Sequence, residues 1–302
     1  MGSTTILTGA PGSGKTSFLS TLICQALDQG FKTFVYSGEL SNPSLKNWID
    51  SVHAGRWGLI ELQNQKTGST YYKVSSEAFD QINTQYKDMM WFYRDDMSQK
   101  VSELMKTAEN LVRRSGVKLL VFDNMSSVDL EANDDNKWNK QEEFIRDIIN
   151  FSKRWNVCCV VVLHPRKILN SRVTSLYDLS GVTASVNLSH RVLSLYRVSK
   201  KEKEGKLQKD KDPKKEESWI QVPNRYDVLV DILKDRFGSG LGHTAGLFYD
   251  IPSKRFYDED STLYYQYSWD KEKHTGEAPG GKSTRQKLEE AEHEIFGPPL
   301  PQ

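Results

Sequence analysis

Cysteine is scarce in this chain: three among 302 residues, at Cys24, Cys158 and Cys159. Cys158 and Cys159 are neighbours in an apolar run, and Cys24 sits in a segment of helical spacing. That layout suits neither a disulfide framework nor a zinc ribbon. All three read as small apolar residues of the interior, in a reducing compartment. Net charge is nearly absent too, with 41 Lys plus Arg against 40 Asp plus Glu. No global field therefore announces a polyanionic partner, and any basic surface must be local. Long hydrophobic runs are also missing. The longest, Val157–Leu163, falls far short of the roughly 20 apolar residues a membrane-crossing helix needs. The N-terminus shows neither a basic amphipathic leader nor an apolar signal segment, so a soluble, cytoplasmic, untargeted protein without a membrane partner is expected.

What is present is an alternation of strand and helix. At 302 residues the chain is long enough to bury a full α/β core. Thr4–Thr8 is a β-rich run that ends in a glycine-rich turn. Phe18, Leu19, Leu22, Ile23, Ala26 and Leu27 then recur at helical spacing and stop at Gly30. A second strand is expected over Lys32–Tyr36, a helix from Pro43 to about Arg56, and a third strand over Met89–Tyr93. Gly55–Ser75 is polar, contains glycine and has no period, so it is expected to be irregular. Val101, Leu104, Met105, Ala108, Leu111 and Val112 share one helical face, and Phe144, Ile145, Ile148 and Ile149 mark another helix. Val117–Phe122 and Val157–Leu163 are continuous apolar runs, as central strands covered on both sides require.

The alternation predicts an α/β fold with a mostly parallel central sheet flanked by helices. Arg191–Val198, Tyr226–Leu233 and Thr244–Tyr249 follow without intervening helices and are expected as antiparallel additions. Lys200–Glu217, with eight lysines and six acidic residues, cannot form a core and reads as a charged insertion. One domain is expected over residues 1–259. The tail at 260–302 is expected to be largely disordered apart from a short helix at Arg285–His293.

Gly9-Ala10-Pro11-Gly12-Ser13-Gly14-Lys15-Thr16 matches the phosphate-binding loop pattern in full, between a strand and an amphipathic helix. Glycines let backbone N–H groups turn inward around phosphates, and the helix N-terminus adds partial positive charge. Lys15 is expected at the β- and γ-phosphates of ATP or another nucleoside triphosphate, with Ser17 beside the loop. Thr16 is expected on Mg²⁺. Asp123 ends an apolar strand, where strand ends face a nucleotide crevice, and is the natural acid to order Mg²⁺ through water. Glu39 follows the second strand. A carboxylate there could take a proton from an attacking water; a glutamate opening a surface helix is equally ordinary, and spacing alone does not choose.

Taken in order, these pieces resemble the RecA-like motor domain of the DnaB-family ring helicases, most closely the branch of phage primase–helicases and mitochondrial Twinkle. The resemblance rests on Thr5–Thr16, Gly38-Glu39-Leu40-Ser41-Asn42, Val121-Phe122-Asp123-Asn124, Val162-Leu163-His164-Pro165-Arg166-Lys167 and Ile232-Leu233-Lys234-Asp235-Arg236-Phe237. It spans about Thr4–Asp258. It implies that Glu39 is the catalytic base and that His164 senses the γ-phosphate. It places Arg166, Lys167 and Arg172 in a channel loop on single-stranded DNA. Lys234 and Arg236, two apart on one strand, project the same way, and by resemblance they reach the neighbouring subunit's γ-phosphate, with Arg236 as arginine finger. Tyr249 falls where the family sets an aromatic against adenine.

The implied activity is ATP-driven unwinding of forked duplex by a hexameric ring, with a primase or polymerase as further partner, in a phage or similar compact replication system. A RecA- or KaiC-like ATPase that binds DNA or regulates without unwinding is the alternative.

Overall fold

The computed structural model describes residues 2–97, 100–124, 128–129, 137–165, 176, 183–203, 225–272, 274, 281–283 and 285–290. The chain runs β1 (Ser3–Gly9), α1 (Lys15–Asp28), β2 (Thr33–Ser37), α2 (Asn42–Ala54), β3 (Leu59–Gln63), β4 (Thr70–Val74), α3 (Ser76–Gln85), β5 (Met90–Phe92) and α4 (Val101–Ser115). It continues through β6 (Leu119–Asp123), α5 (Lys137–Trp155), β7 (Cys158–Val162), α6 (Thr183–Leu188), β8 (Arg191–Arg197), α7 (Lys200–Lys203), β9 (Val228–Asp235), β10 (Thr244–Tyr249), β11 (Phe256–Tyr257) and α8 (Asp260–Leu263). Among the described residues no helix is long and apolar enough to cross a membrane.

Nine strands form one sheet in the order β11-β10-β9-β8-β1-β7-β6-β2-β5. From β5 to β8 all neighbours pair in parallel, and β9, β10 and β11 add on antiparallel. The expectation for β8 is thereby corrected: it closes the parallel set against β1, and only the strands after it reverse. The middle of the sheet is buried on both faces. Ile6, Val161 and Phe122 pack toward α4 and α5, while Leu7, Val160 and Val121 pack toward α1 and α2. Such double burial explains why β6 and β7 read as continuous apolar runs. Helix α4 shows the other signature, burying Leu104, Ala108 and Val112 four residues apart and ending at Gly116 with φ 73°.

Gly55–Ser75 is not irregular throughout: β3 and β4 pair antiparallel, Leu59 with Val74 and Gln63 with Thr70. Only those end residues Leu59 and Val74 are buried. A hairpin exposed along both edges carries no apolar alternation, so its sequence lacks the usual strand signal.

The packed body also continues past the expected boundary at 259. Leu263, Tyr267 and Trp269 are buried. Arg255, itself buried, donates to the carbonyls of Val52, His53, Leu263 and Tyr265 at 2.7–3.0 Å. Asp28 accepts from Tyr265 Oη and from the Ser268 amide and hydroxyl. Residues 285–290 are helical. Most of the charged stretch Lys200–Glu217, from 204 onward, lies outside the described residues, as does 291–302. The three cysteines are free, and Cys24 and Cys159 are buried.

Candidate functional site

The phosphate loop joins β1 to α1. Gly9 has φ 143°, and a Cβ there would lie 2.3 Å from Leu195 O and 2.7 Å from Ser13 Oγ. Gly14 has φ 94°, and its Cβ would meet the Phe256 ring at 2.8 Å. Only glycine fits either position. Helix α1 starts at Gly14 without a side-chain cap, so its first-turn N–H groups remain for an anion. The Ser13 hydroxyl is buried with no hydrogen-bond partner, a donor that a phosphate oxygen would satisfy. Lys15 is buried, and its ammonium donates to Gly9 O (2.9 Å) and Ala10 O (3.0 Å). Burial lowers its pKa, while Glu39 and Asp123 pull the other way.

Thr16 Oγ1 lies 3.5 Å from Asp123 Oδ2. Burial, with Glu39 nearby, pushes the Asp123 carboxyl up to about 6 against the opposing pull of Lys15 and Thr16. A hydroxyl and a carboxylate side by side make an all-oxygen donor set, which suits Mg²⁺ rather than a soft metal. Among the described residues no three His, Cys, Asp or Glu side chains cluster to hold a metal. The other ligands would be phosphate oxygens and water.

Glu39, Asn124 and His164 meet at the C-terminal ends of β2, β6 and β7. Gly38 N donates to Asp123 O at 2.7 Å, which ties the Glu39 turn to the end of β6. Asn124 Nδ2 donates to Glu39 Oε1 and lies 2.8 Å from His164 Nε2. His164 Nε2 is 3.0 Å from Glu39 Oε1. Glu39 and His164 remain partly open to solvent, at 46% and 32% side-chain exposure, so a small molecule can reach both. Asn124 was given no role in the sequence reading; its place directly after Asp123 was the available signal.

Tyr249 is half-buried beside the loop, 5.1 Å from the Phe256 ring. Lys234 and Arg236 stand elsewhere. Asp235 pairs with Arg191, and Arg191 pairs with Thr5, so both cations sit at the N-terminal edge of the parallel strands. That is roughly 15 Å along the sheet from the phosphate loop. Their side chains do point the same way: both donate to Asn187 O, Arg236 at 2.7 Å. Desolvation, with Arg236 adjacent, holds the Lys234 ammonium down to about 8. Arg166, Lys167 and Arg172 lie outside the described residues.

Sheet order, phosphate loop and strand-end acids together define a RecA-like P-loop nucleotide-binding domain. The model of the AAA domain family matches residues 1–168, and the chain belongs to that family. No curated protein matches it in sequence. Among solved structures, a DnaB-like replicative helicase studied with primase is similar at 17% identity and TM-score 0.61, over 84% of this chain and 57% of that one. An isolated ATPase domain is similar at 17% identity and TM-score 0.60, over 84% of both chains. A KaiC-like protein of Pyrococcus horikoshii matches at 16% identity and TM-score 0.53, over 85% of this chain and 90% of that one. These likenesses establish the fold.

Proposed function

We propose that the chain is an ATP-hydrolysing motor that works as a hexameric ring, translocating on single-stranded DNA and opening duplex. One observation carries the reading. Lys15, Thr16, Asp123, Glu39 and His164 gather at the C-terminal edge of the sheet, while Lys234 and Arg236 converge at the opposite edge. A nucleotide on the phosphate loop of one copy lies out of reach of that copy's own pair. Cations set two apart and gathered at one carbonyl, that of Asn187, are suited to a neighbour's phosphates.

Within such a site Lys15 holds the β- and γ-phosphates and Tyr249 flanks the base. Glu39 takes the proton of the attacking water, and His164 reads the γ-phosphate. Thr16 and Asp123 would hold Mg²⁺, which would neutralise phosphate charge. Arg236 of the next copy would stabilise the charge that develops on transfer. Arg166, Lys167 and Arg172 are the DNA contacts this reading assigns, and a primase or polymerase is a further partner.

The test is ATP turnover per molecule against protein concentration, with and without single-stranded DNA. A rate that climbs with concentration and with DNA supports a shared site in a DNA-threaded ring; a rate indifferent to both overturns it. The likeness to the KaiC-like protein favours a second reading, a regulatory ATPase. Strand displacement on a forked substrate separates the two.

A further inference from the structure

The contacts among Asn124, Glu39 and His164 cannot all be hydrogen bonds at once. Asn124 Nδ2 is purely a donor and an ionised Glu39 Oε1 purely an acceptor, while His164 Nε2 is one or the other according to its tautomer. If Nε2 is bare, it accepts from Asn124 at 2.8 Å. It then faces Glu39 Oε1 at 3.0 Å with no proton between them. If Nε2 carries the proton, it donates to Glu39 and opposes the N–H of Asn124 instead. Only the Asn124–Glu39 bond is common to both arrangements.

Asn124 is 4% exposed and directly follows β6, whereas Glu39 and His164 are partly open. The amide is thus the fixed post, and the other two side chains are the movable arms.

We propose that Asn124 is a positioning residue that holds Glu39 whichever way His164 turns, while the Nε2–H of His164 swings its hydrogen bond from Glu39 to a γ-phosphate oxygen. With triphosphate bound, Nε2–H turns to the phosphate and leaves Glu39 held by Asn124 alone, its remaining lone pairs directed at water. After phosphate departs, Nε2–H returns to Glu39 and occupies the base. No bond beyond these hydrogen bonds forms or breaks, and the same histidine proton serves both states. The inference rests on the assignment of Glu39 as base made above.

The experiment compares Asn124→Ala, Asn124→Ser and Glu39→Gln with the unaltered chain, using ATP turnover and binding of ADP. Removing the amide donor should lower kcat by about 10²-fold, as a misplaced base does. ADP affinity should stay within about twofold, because the phosphate loop is untouched. Adding His164→Ala to Asn124→Ala should cost far less than His164→Ala costs alone.

If Asn124→Ala does not fold, Asn124→Ser, whose short hydroxyl cannot reach both arms, carries the same expectations. Full kcat in the Asn124 variants, with Glu39→Gln inactive, overturns this inference and leaves the proposed function standing. Glu39→Gln with undiminished turnover overturns both.

Discussion

Thr16 Oγ1 and Asp123 Oδ2 stand 3.5 Å apart, which brings the first turn of α1 against the end of β6 across 107 residues of sequence. The contact leaves Asp123 almost fully buried, with Glu39 as its charged neighbour and Lys15 opposing. Its carboxyl accordingly titrates at about 6 instead of its usual 3.8. Between those pH values the folded chain keeps a proton that the unfolded chain has lost. Stability therefore falls as pH rises through the window and levels off above it.

Asp123→Asn should consequently raise the thermal midpoint of the nucleotide-free protein above pH 6, by up to about 3 kcal/mol in stability. The gain should shrink toward zero near pH 4 and be accompanied by loss of Mg²⁺-dependent turnover. Melting curves from pH 4 to 8 check this. A variant that is less stable at pH 7.5 than the parent would contradict it.

Glu39→Gln keeps the shape of the side chain but not its basicity. Turnover should drop by about 10²-fold or more, with ATP affinity retained because Lys15 and the loop N–H groups are intact. Equilibrium binding alongside single-turnover hydrolysis separates the two effects.

Arg236→Ala should lower turnover by about 10³-fold or more if the side chain completes a neighbour's site. Mixing this variant with Glu39→Gln should restore activity. The intact base of one copy then meets the intact arginine of the other. No recovery at any mixing ratio would argue that both residues act within one copy.

Arg255 is the point where the C-terminal segment is fastened to α2. Arg255→Met strands the carbonyls of Val52, His53, Leu263 and Tyr265. It should cost about 3 kcal/mol, or roughly 5–10 °C in thermal midpoint. Arg255→Lys should recover only part, because an ammonium offers three donors where the guanidinium offers five. Calorimetry on the three proteins decides this.

The local sequence was most informative where one segment does a whole job. The phosphate loop is legible because its glycines, lysine and threonine act through their own backbone and first helical turn. The strands β6 and β7 are legible because burial on both faces leaves no polar position in Leu119–Phe122 or Cys158–Val162. The hairpin β3–β4 was not, since its outward side chains follow no period. The tail was not, because charge and proline dominate its composition while a few residues, Leu263, Tyr267 and Trp269, fasten it.

What the sequence determined by itself was the α/β class, the nucleotide loop and the candidate Asp123, all carried by short-range pattern, while Glu39 and His164 were singled out by resemblance. Tertiary structure alone decided which edge each candidate occupies. It set Asn124 between Glu39 and His164, and it put Lys234 and Arg236 at the far end of the sheet. The physical reason is register. Residues 85 and 125 positions apart come within 3.0 Å because parallel strands pair at fixed offsets. Those offsets follow from how the helices between the strands pack, which no local run of residues encodes.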